Sequence, residues 1–173
     1  MFRHWHHALG VAVLLTVTGL ALADEDDVRE MRRATAAAKV SLVQAIEIAE
    51  REVTGGKAVE VELDWKRGGP RIEVELVVGD NWKEVAIDAV SGRVLKVLDE
   101  RADDPDDREE LKRDKENLQA ATVGFADAIA RTEKEAGGKA VDVELTSSQG
   151  KPAYKVKLLV DNKLATVRVP AND

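Results

Sequence analysis

Gly55-Gly56-Lys57-Ala58-Val59-Glu60-Val61-Glu62-Leu63 returns, lightly edited, as Gly137-Gly138-Lys139-Ala140-Val141-Asp142-Val143-Glu144-Leu145. The offset of 82 extends to Pro70/Pro152, Val74/Val156, Leu76/Leu158, Val78/Val160 and Val85/Val167. Upstream, Ala45-Ile46 matches Ala128-Ile129 at an offset of 83, and the one-residue slip falls at Thr54, where a helix-to-strand loop absorbs it. Self-similarity at a fixed period signals one structural unit used twice.

Each copy changes period at its glycine pair. Before Gly55, Leu42, Ala45, Ile46, Ala49 and Val53 recur on one face of a helix. Ser41-Leu42-Val43-Gln44 forms a capping box at its start. Glycine, which tolerates the left-handed conformation that closes helices, ends it. After Gly56, Val59, Val61, Leu63 and Trp65 alternate with Glu60, Glu62 and Asp64, the pattern of a half-buried strand. Turns at 66–70, Gly79-Asp80-Asn81 and 88–92 then separate strands carrying Ile72, Val74, Leu76 and Val78, Val85 and Ile87, and Arg93 to Leu98. Short turns between successive strands imply an antiparallel meander with one wet face.

The second copy has a helix lined by Phe125, Ala128, Ile129 and Ala136. Three strands follow, carrying Val141, Val143 and Leu145, then Tyr154, Val156, Leu158 and Val160, then Val167 and Val169. It has no counterpart of Arg93–Leu98, so its sheet should be one strand narrower. Charged helices precede both copies: Glu25 to Val40, and Asp106 to Ala121, the latter capped by Asp104 with Pro105 at its first position. The expected fold is α+β: two tandem repeats, each a helix, preceded by a charged helix, on a three- to four-stranded antiparallel sheet. The expected boundaries are a signal segment at 1–23 and a first repeat with its charged helix at 24–99. An acidic linker and charged helix at 100–121 and a second repeat at 122–173 follow.

Residues 1–23 read as a secretory signal: Arg3, an apolar run from Val11 to Leu22, and the small-x-small site Ala21-Leu22-Ala23 before four acids. The run is short for a bilayer span, so cleavage after Ala23 and a periplasmic or secreted protein without stable membrane insertion are expected. His4, His6 and His7 are the only histidines and there is no cysteine. Cleavage leaves no imidazole and no thiol. Losing Arg3 from 26 basic and 33 acidic residues gives 25 against 33, a net charge of −8. That balance argues against nucleic acid and anionic membranes as partners.

The mature chain therefore offers no base for Ser-His or Cys-His catalysis. It also lacks the usual zinc ligands. Asp24-Glu25-Asp26-Asp27 and Asp103-Asp104-Pro105-Asp106-Asp107 lack the spacing of an EF-hand loop and suit helix starts instead. No cofactor, no metal and no enzymatic activity are expected. A carboxylate-dependent hydrolase is the weaker alternative, and a passive or small-ligand-sensing periplasmic domain the stronger one.

The unit resembles the PepSY domain. The resemblance rests on the helix Ser41 to Val53, the Gly55-Gly56-Lys57-Ala58-Val59 junction, the Pro70 to Val78 strand and the ending Val85 to Leu95. That ending matches the family's strand, Asp-x-x-(Thr/Ser)-Gly turn, strand pattern. The second copy keeps the junction and Lys151-Pro152-Ala153-Tyr154-Lys155-Val156, close to the family's Pro-x-Tyr-x-Val, but lacks the final turn. The helix-plus-sheet tandem is also similar in architecture to beta-lactamase inhibitory protein. The resemblance implies a non-catalytic exported module that binds or restrains another exported protein, such as a peptidase or wall-acting enzyme, with no family site residues to carry over.

The strand parities suggest where a partner would sit. Two hairpin registers are open in the first copy. One sets Asp64 opposite Glu73 and Glu62 opposite Glu75; the other sets Glu62 opposite Glu73 and Glu60 opposite Glu75. Both confront like charges, which sheets normally avoid. In the second copy the same registers pair Glu144 with Lys157, or Glu144 with Lys155 and Asp142 with Lys157. Trp82 and Glu84 should emerge on the acidic face. The candidate partner surface is thus Glu60, Glu62, Asp64, Glu73, Glu75 and Glu84 around an exposed Trp82 anchor.

Overall fold

The computed structural model describes residues 16–17 and 25–172. Except for Thr16-Val17, the expected signal segment and its cleavage site lie outside the described residues. The elements run β1 (Thr16–Val17), α1 (Glu25–Ala37), α2 (Leu42–Glu52), β2 (Lys57–Lys66), β3 (Gly69–Val78), β4 (Asn81–Asp88) and β5 (Val94–Arg101). Then come α3 (Pro105–Ala120), α4 (Phe125–Ala136), β6 (Lys139–Ser148), β7 (Lys151–Val160) and β8 (Lys163–Pro170). The chain is α+β, with a helix packed on an antiparallel meander in each repeat. The first meander has four strands, β2 to β5, and the second three, β6 to β8.

The local signals act as their chemistry requires. Ser41 Oγ accepts from the Gln44 N–H at 3.1 Å while Gln44 Oε1 accepts from the Ser41 N–H at 2.9 Å. Asp104 accepts from the Asp106 and Asp107 N–H groups, both at 2.9 Å, with Pro105 inside the helix start. Gly137 closes α4 in the left-handed conformation, at φ 70°.

The two meanders do not form separate sheets. β2 and β6 pair antiparallel, giving the strand order β1-β8-β7-β6-β2-β3-β4-β5. Only three residue pairs make this seam: Glu60 with Glu144, Val61 with Val143, and Glu62 with Asp142. At the offset of 82, Val143 is the equivalent of Val61, so the repeats meet about a pseudo-twofold axis through that pair. Equivalent contacts recur around the axis. The Lys39 and Val40 N–H groups donate to Ala89 O at 2.8 and 2.9 Å; those of Thr122 and Val123 donate to Ala171 O at 2.8 and 3.0 Å. Ala89 and Ala171 in turn donate to Pro70 O and Pro152 O, at 3.1 and 3.0 Å. Glu50 accepts from the Ala58 N–H at 3.4 Å, and Glu133 from the Ala140 N–H at 3.1 Å.

One face of the sheet carries the main core. Ile46, Val61, Leu63, Val74, Val85, Ile129, Val143, Val156 and Val167 all belong to it. Tyr154 anchors the second repeat: its hydroxyl donates to Val123 O at 2.8 Å, its ring meets Phe125 edge-on at 4.8 Å, and burial pushes its pKa up to about 12. The Arg33 guanidinium of α1 lies 3.7 Å above the ring of Trp65, near the end of β2.

α3 does more than link the repeats. Its Leu111 packs with Val59, Val77 and Trp82 in a second, smaller cluster, and Leu118 packs against both clusters. Val77 lies next to inward-facing Leu76 and opposite Trp82, so this second cluster is on the sheet's other face, where strand parity placed Trp82 among acids without an apolar neighbour.

Candidate carboxylate surface

The register settles which acids confront each other. Glu60 lies opposite Glu75, Glu62 opposite Glu73, and Asp64 opposite Arg71. A bulge between Ala58 and Glu60 puts Val59 on the carboxylate face. β4 adds Glu84 opposite Glu75. The seam then adds Glu144 and Asp142 on the other side of Glu60 and Glu62. The acids of both repeats therefore converge at the centre of one sheet, which parity within a single repeat could not reveal.

Two corrections to the expected site follow. Trp82 is not an exposed anchor: it is 7% exposed, sits against Val59, Val77 and Leu111, and donates from Nε1 to Asp114 Oδ2 at 2.9 Å. α3 covers it, and Lys115 of α3 also reaches Asp80, at 2.7 Å. Nor are the acids uniformly unpaired. Lys66 pairs with Asp64 and stands 3.9 Å from Glu73, while Arg71 stands 3.4 Å from Glu73. Lys157 lies 4.0 Å from Glu62 across the seam. Among the described residues, Glu60, Glu75 and Glu84 make no ion pair within 4.0 Å, and they form the least compensated part of the face.

The electrostatics follow from that crowding. Burial, then the charges of Asp142, Glu144 and Glu62, push Glu60 up to about 7 against the opposing pull of Lys155. Burial, then Glu60, Glu100, Asp114 and Glu110, push Glu75 up to about 7. Glu62 and Glu84 are also raised, mainly by burial, and so is Asp114 despite its bond from Trp82. The second repeat presents the opposite sign on the same face. Lys155 meets Glu144 at 2.7 Å, Lys157 meets Asp142 at 2.8 Å, and Arg168 lies opposite Lys155. The face thus runs from acidic on β2, β3 and β4 to basic on β7 and β8. No group of His, Cys, Asp and Glu among the described residues is arranged to hold a metal ion.

The helix face offers a different surface. Two hollows of about 430 and 420 Å³ flank the pseudo-twofold axis between α2 and α4. Their linings are equivalent by the repeat: Ile46, Glu50, Lys57 and Leu145 line one, and Ile129, Glu133, Lys139 and Leu63 the other.

The PepSY family model, described as peptidase propeptide and YPEB domain, matches residues 39–98 and again 122–172. The chain belongs to the PepSY family. Both matched segments include the helix, glycine junction and strands that carry the repeat. The crystal structure of a Clostridium difficile 630 protein described as a lipoprotein is similar in fold. Its TM-score is 0.52 at 23% identity, over 79% of this chain and 89% of that one. No curated protein matches the chain. PepSY domains are generally propeptide- or inhibitor-like modules without catalytic machinery of their own. No helix among the described residues is long and apolar enough to cross a membrane.

Proposed function

We propose that this tandem PepSY protein is an exported, non-catalytic module that binds and restrains another exported protein, with a peptidase the favoured class. In this reading residues 1–23 are removed on export, and residues 24–99 and 122–173 are the two binding repeats joined through 100–121. The partner meets the open part of the carboxylate face: Glu60, Glu62, Asp64, Glu73, Glu75 and Glu84. Trp82 holds α3 in place beside that surface. The observation that carries the reading is the row of carboxylates on three adjacent hydrogen-bonded strands. A ladder fixes their spacing, and like charges so placed weaken the sheet. A basic partner surface would relieve that repulsion on docking, giving both steering and register.

The test is capture from the exported fraction by immobilised chain, followed by identification of what is retained and assay of any retained peptidase with and without added chain. Glu62→Lys/Glu75→Lys should abolish capture, whereas Glu135→Lys, exposed on α4 on the opposite side of the sheet, should retain it. Equal capture by folded forms of both variants overturns the proposed surface. Turnover of peptide, ester or glycan substrates by the chain itself, lost on carboxylate substitution, overturns the non-catalytic assignment.

A further inference from the structure

β5 ends the sheet, and its eight residues, Val94–Arg101, carry two of the largest exposed apolar side chains, Leu95 at 45% and Val97 at 39% exposure. The outward N–H and C=O groups of such an edge are a template for another strand; the register with β4 shifts at Leu95, which leaves Lys96–Arg101 as its regular part. The register with β4 fixes what each side of β5 presents. Val97 lies opposite Val85 on the helix face, while Lys96, Leu98 and Glu100 lie opposite Ala86, Glu84 and Trp82 on the carboxylate face.

We infer that β5 is a homotypic interface, pairing antiparallel with β5 of a second copy so that Leu98 meets its own counterpart. Opposed residues in such a pair must share a face, so only registers centred on one residue are allowed. Centring on Leu98 sets Lys96 against Glu100 of the other copy, twice, with Leu98 on Leu98. Centring on Val97 sets Lys96 against Leu98 and pairs no charges. Centring on Lys96, Asp99 or Glu100 confronts like charges, and centring on Leu95, where the register with β4 shifts, pairs no opposite charges within the strand. The strand is therefore self-complementary in one register.

The surroundings favour the same register. Glu100 is one of the charges that raise Glu75 and Glu84, and Lys96 is one that lowers Glu84, so the edge carries its own acid–base imbalance. An incoming Lys96 would lie beside Glu100 and offset it. On the helix face the same register sets Val97 against Asp99, whose charge Lys83 already offsets, and Leu95 against the long side chain of Arg101. The chain makes the same kind of junction internally, where the equivalent strands β2 and β6 meet antiparallel about a twofold. The interface adjoins the proposed partner surface at Glu84, opposite Leu98, but uses neither Glu62 nor Glu75, so the variants that test the two readings are different.

The chain has no cysteine, which makes a single introduced thiol a direct probe. Directly opposed residues of an antiparallel pair bring their Cβ atoms within disulfide reach. Purified Leu98→Cys should oxidise to a covalent dimer, while Val90→Cys, also exposed but outside the strand, should form no covalent dimer. Wild-type chain should sediment as a concentration-dependent monomer–dimer mixture. Lys96→Glu should shift it to monomer, and Lys96→Glu/Glu100→Lys should restore the dimer. A wild-type chain monomeric at every concentration overturns the inference. So does dimerisation unchanged by Lys96→Glu, or a double variant that stays monomeric.

Discussion

Glu60 shows how a residue of ordinary chemistry acquires an unusual one from its place in a ladder. Its carboxyl faces Glu75 on one side and Glu144 on the other, with Glu62 and Asp142 diagonal and Lys155 the main compensating charge. Glu75 adds Glu84, Glu100, Glu110 and Asp114 to the neighbourhood. Because Glu60 and Glu75 rise from 4.5 to about 7, the folded state keeps protons that the unfolded chain has released above about pH 4.5. The stability they contribute is present in full below that point and is lost as pH rises through about 7. The melting temperature should therefore fall between about pH 5 and about pH 8. Glu60→Gln should flatten that slope and raise the melting temperature at the alkaline end. A wild-type slope of opposite sign, followed by circular dichroism, contradicts the assignment. The acid–acid confrontation within the first repeat was legible from strand parity, as was the Lys155 and Lys157 compensation in the second. The burial of Trp82 was not, because it depends on Asp114, 32 residues away on another element. The only available signal was the spacing of Leu111, Asp114 and Leu118 along one side of α3.

At the scale of elements, the helices and strands were legible because their signals are local. The Ser41 and Asp104 caps, the change of period at each glycine pair and the turn residues all concern neighbours within four positions. Asp104→Ala should cost about 1 kcal/mol in chemical denaturation, as removal of a side-chain cap does. The glycine pairs have a less visible second role. A Cβ on Gly138 would lie 2.5 Å from Val160 Cγ2 and 2.7 Å from Leu159 O, whereas on Gly56 its nearest neighbour is Val53 O at 3.0 Å. Gly138→Ala should therefore destabilise by about 1–3 kcal/mol, the range for overpacked sites, and by more than Gly56→Ala. Equal melting temperatures for the two variants would show that the second junction can yield. α3 is the element whose role the sequence obscured. Its two leucines suggested a solvated linker, yet it covers Trp82 and bonds both repeats, Asn117 Oδ1 accepting from Ser147 Oγ at 2.8 Å. A helix that buries only a few side chains leaves a weak periodic trace.

The whole molecule is one sheet made by two copies of a unit, and the repeat predicts equivalent core positions. Ile46 and Ile129 are 9% and 7% exposed, and Val74 and Val156 are fully buried. Truncating either isoleucine to Ala should cost about 2–4 kcal/mol. If the sheet unfolds as one body, each truncation should shift a single transition rather than one of two. What the repeat could not reveal is how its copies meet, since pairing between units leaves no periodic mark beyond the strands themselves. The seam is short and two of its three pairs are acid against acid, so it is the least expected and most consequential contact in the fold. It brings the carboxylates of both repeats together and sets the two helix-face hollows about one axis. The most direct test is a nuclear Overhauser spectrum of the isotopically labelled chain. It should show cross-strand backbone contacts between 60–62 and 142–144, with the amides of these segments exchanging as slowly as those between β2 and β3. Intact ladders within each repeat, with no cross-strand contact between those segments and fast exchange of their amides, would contradict the single sheet.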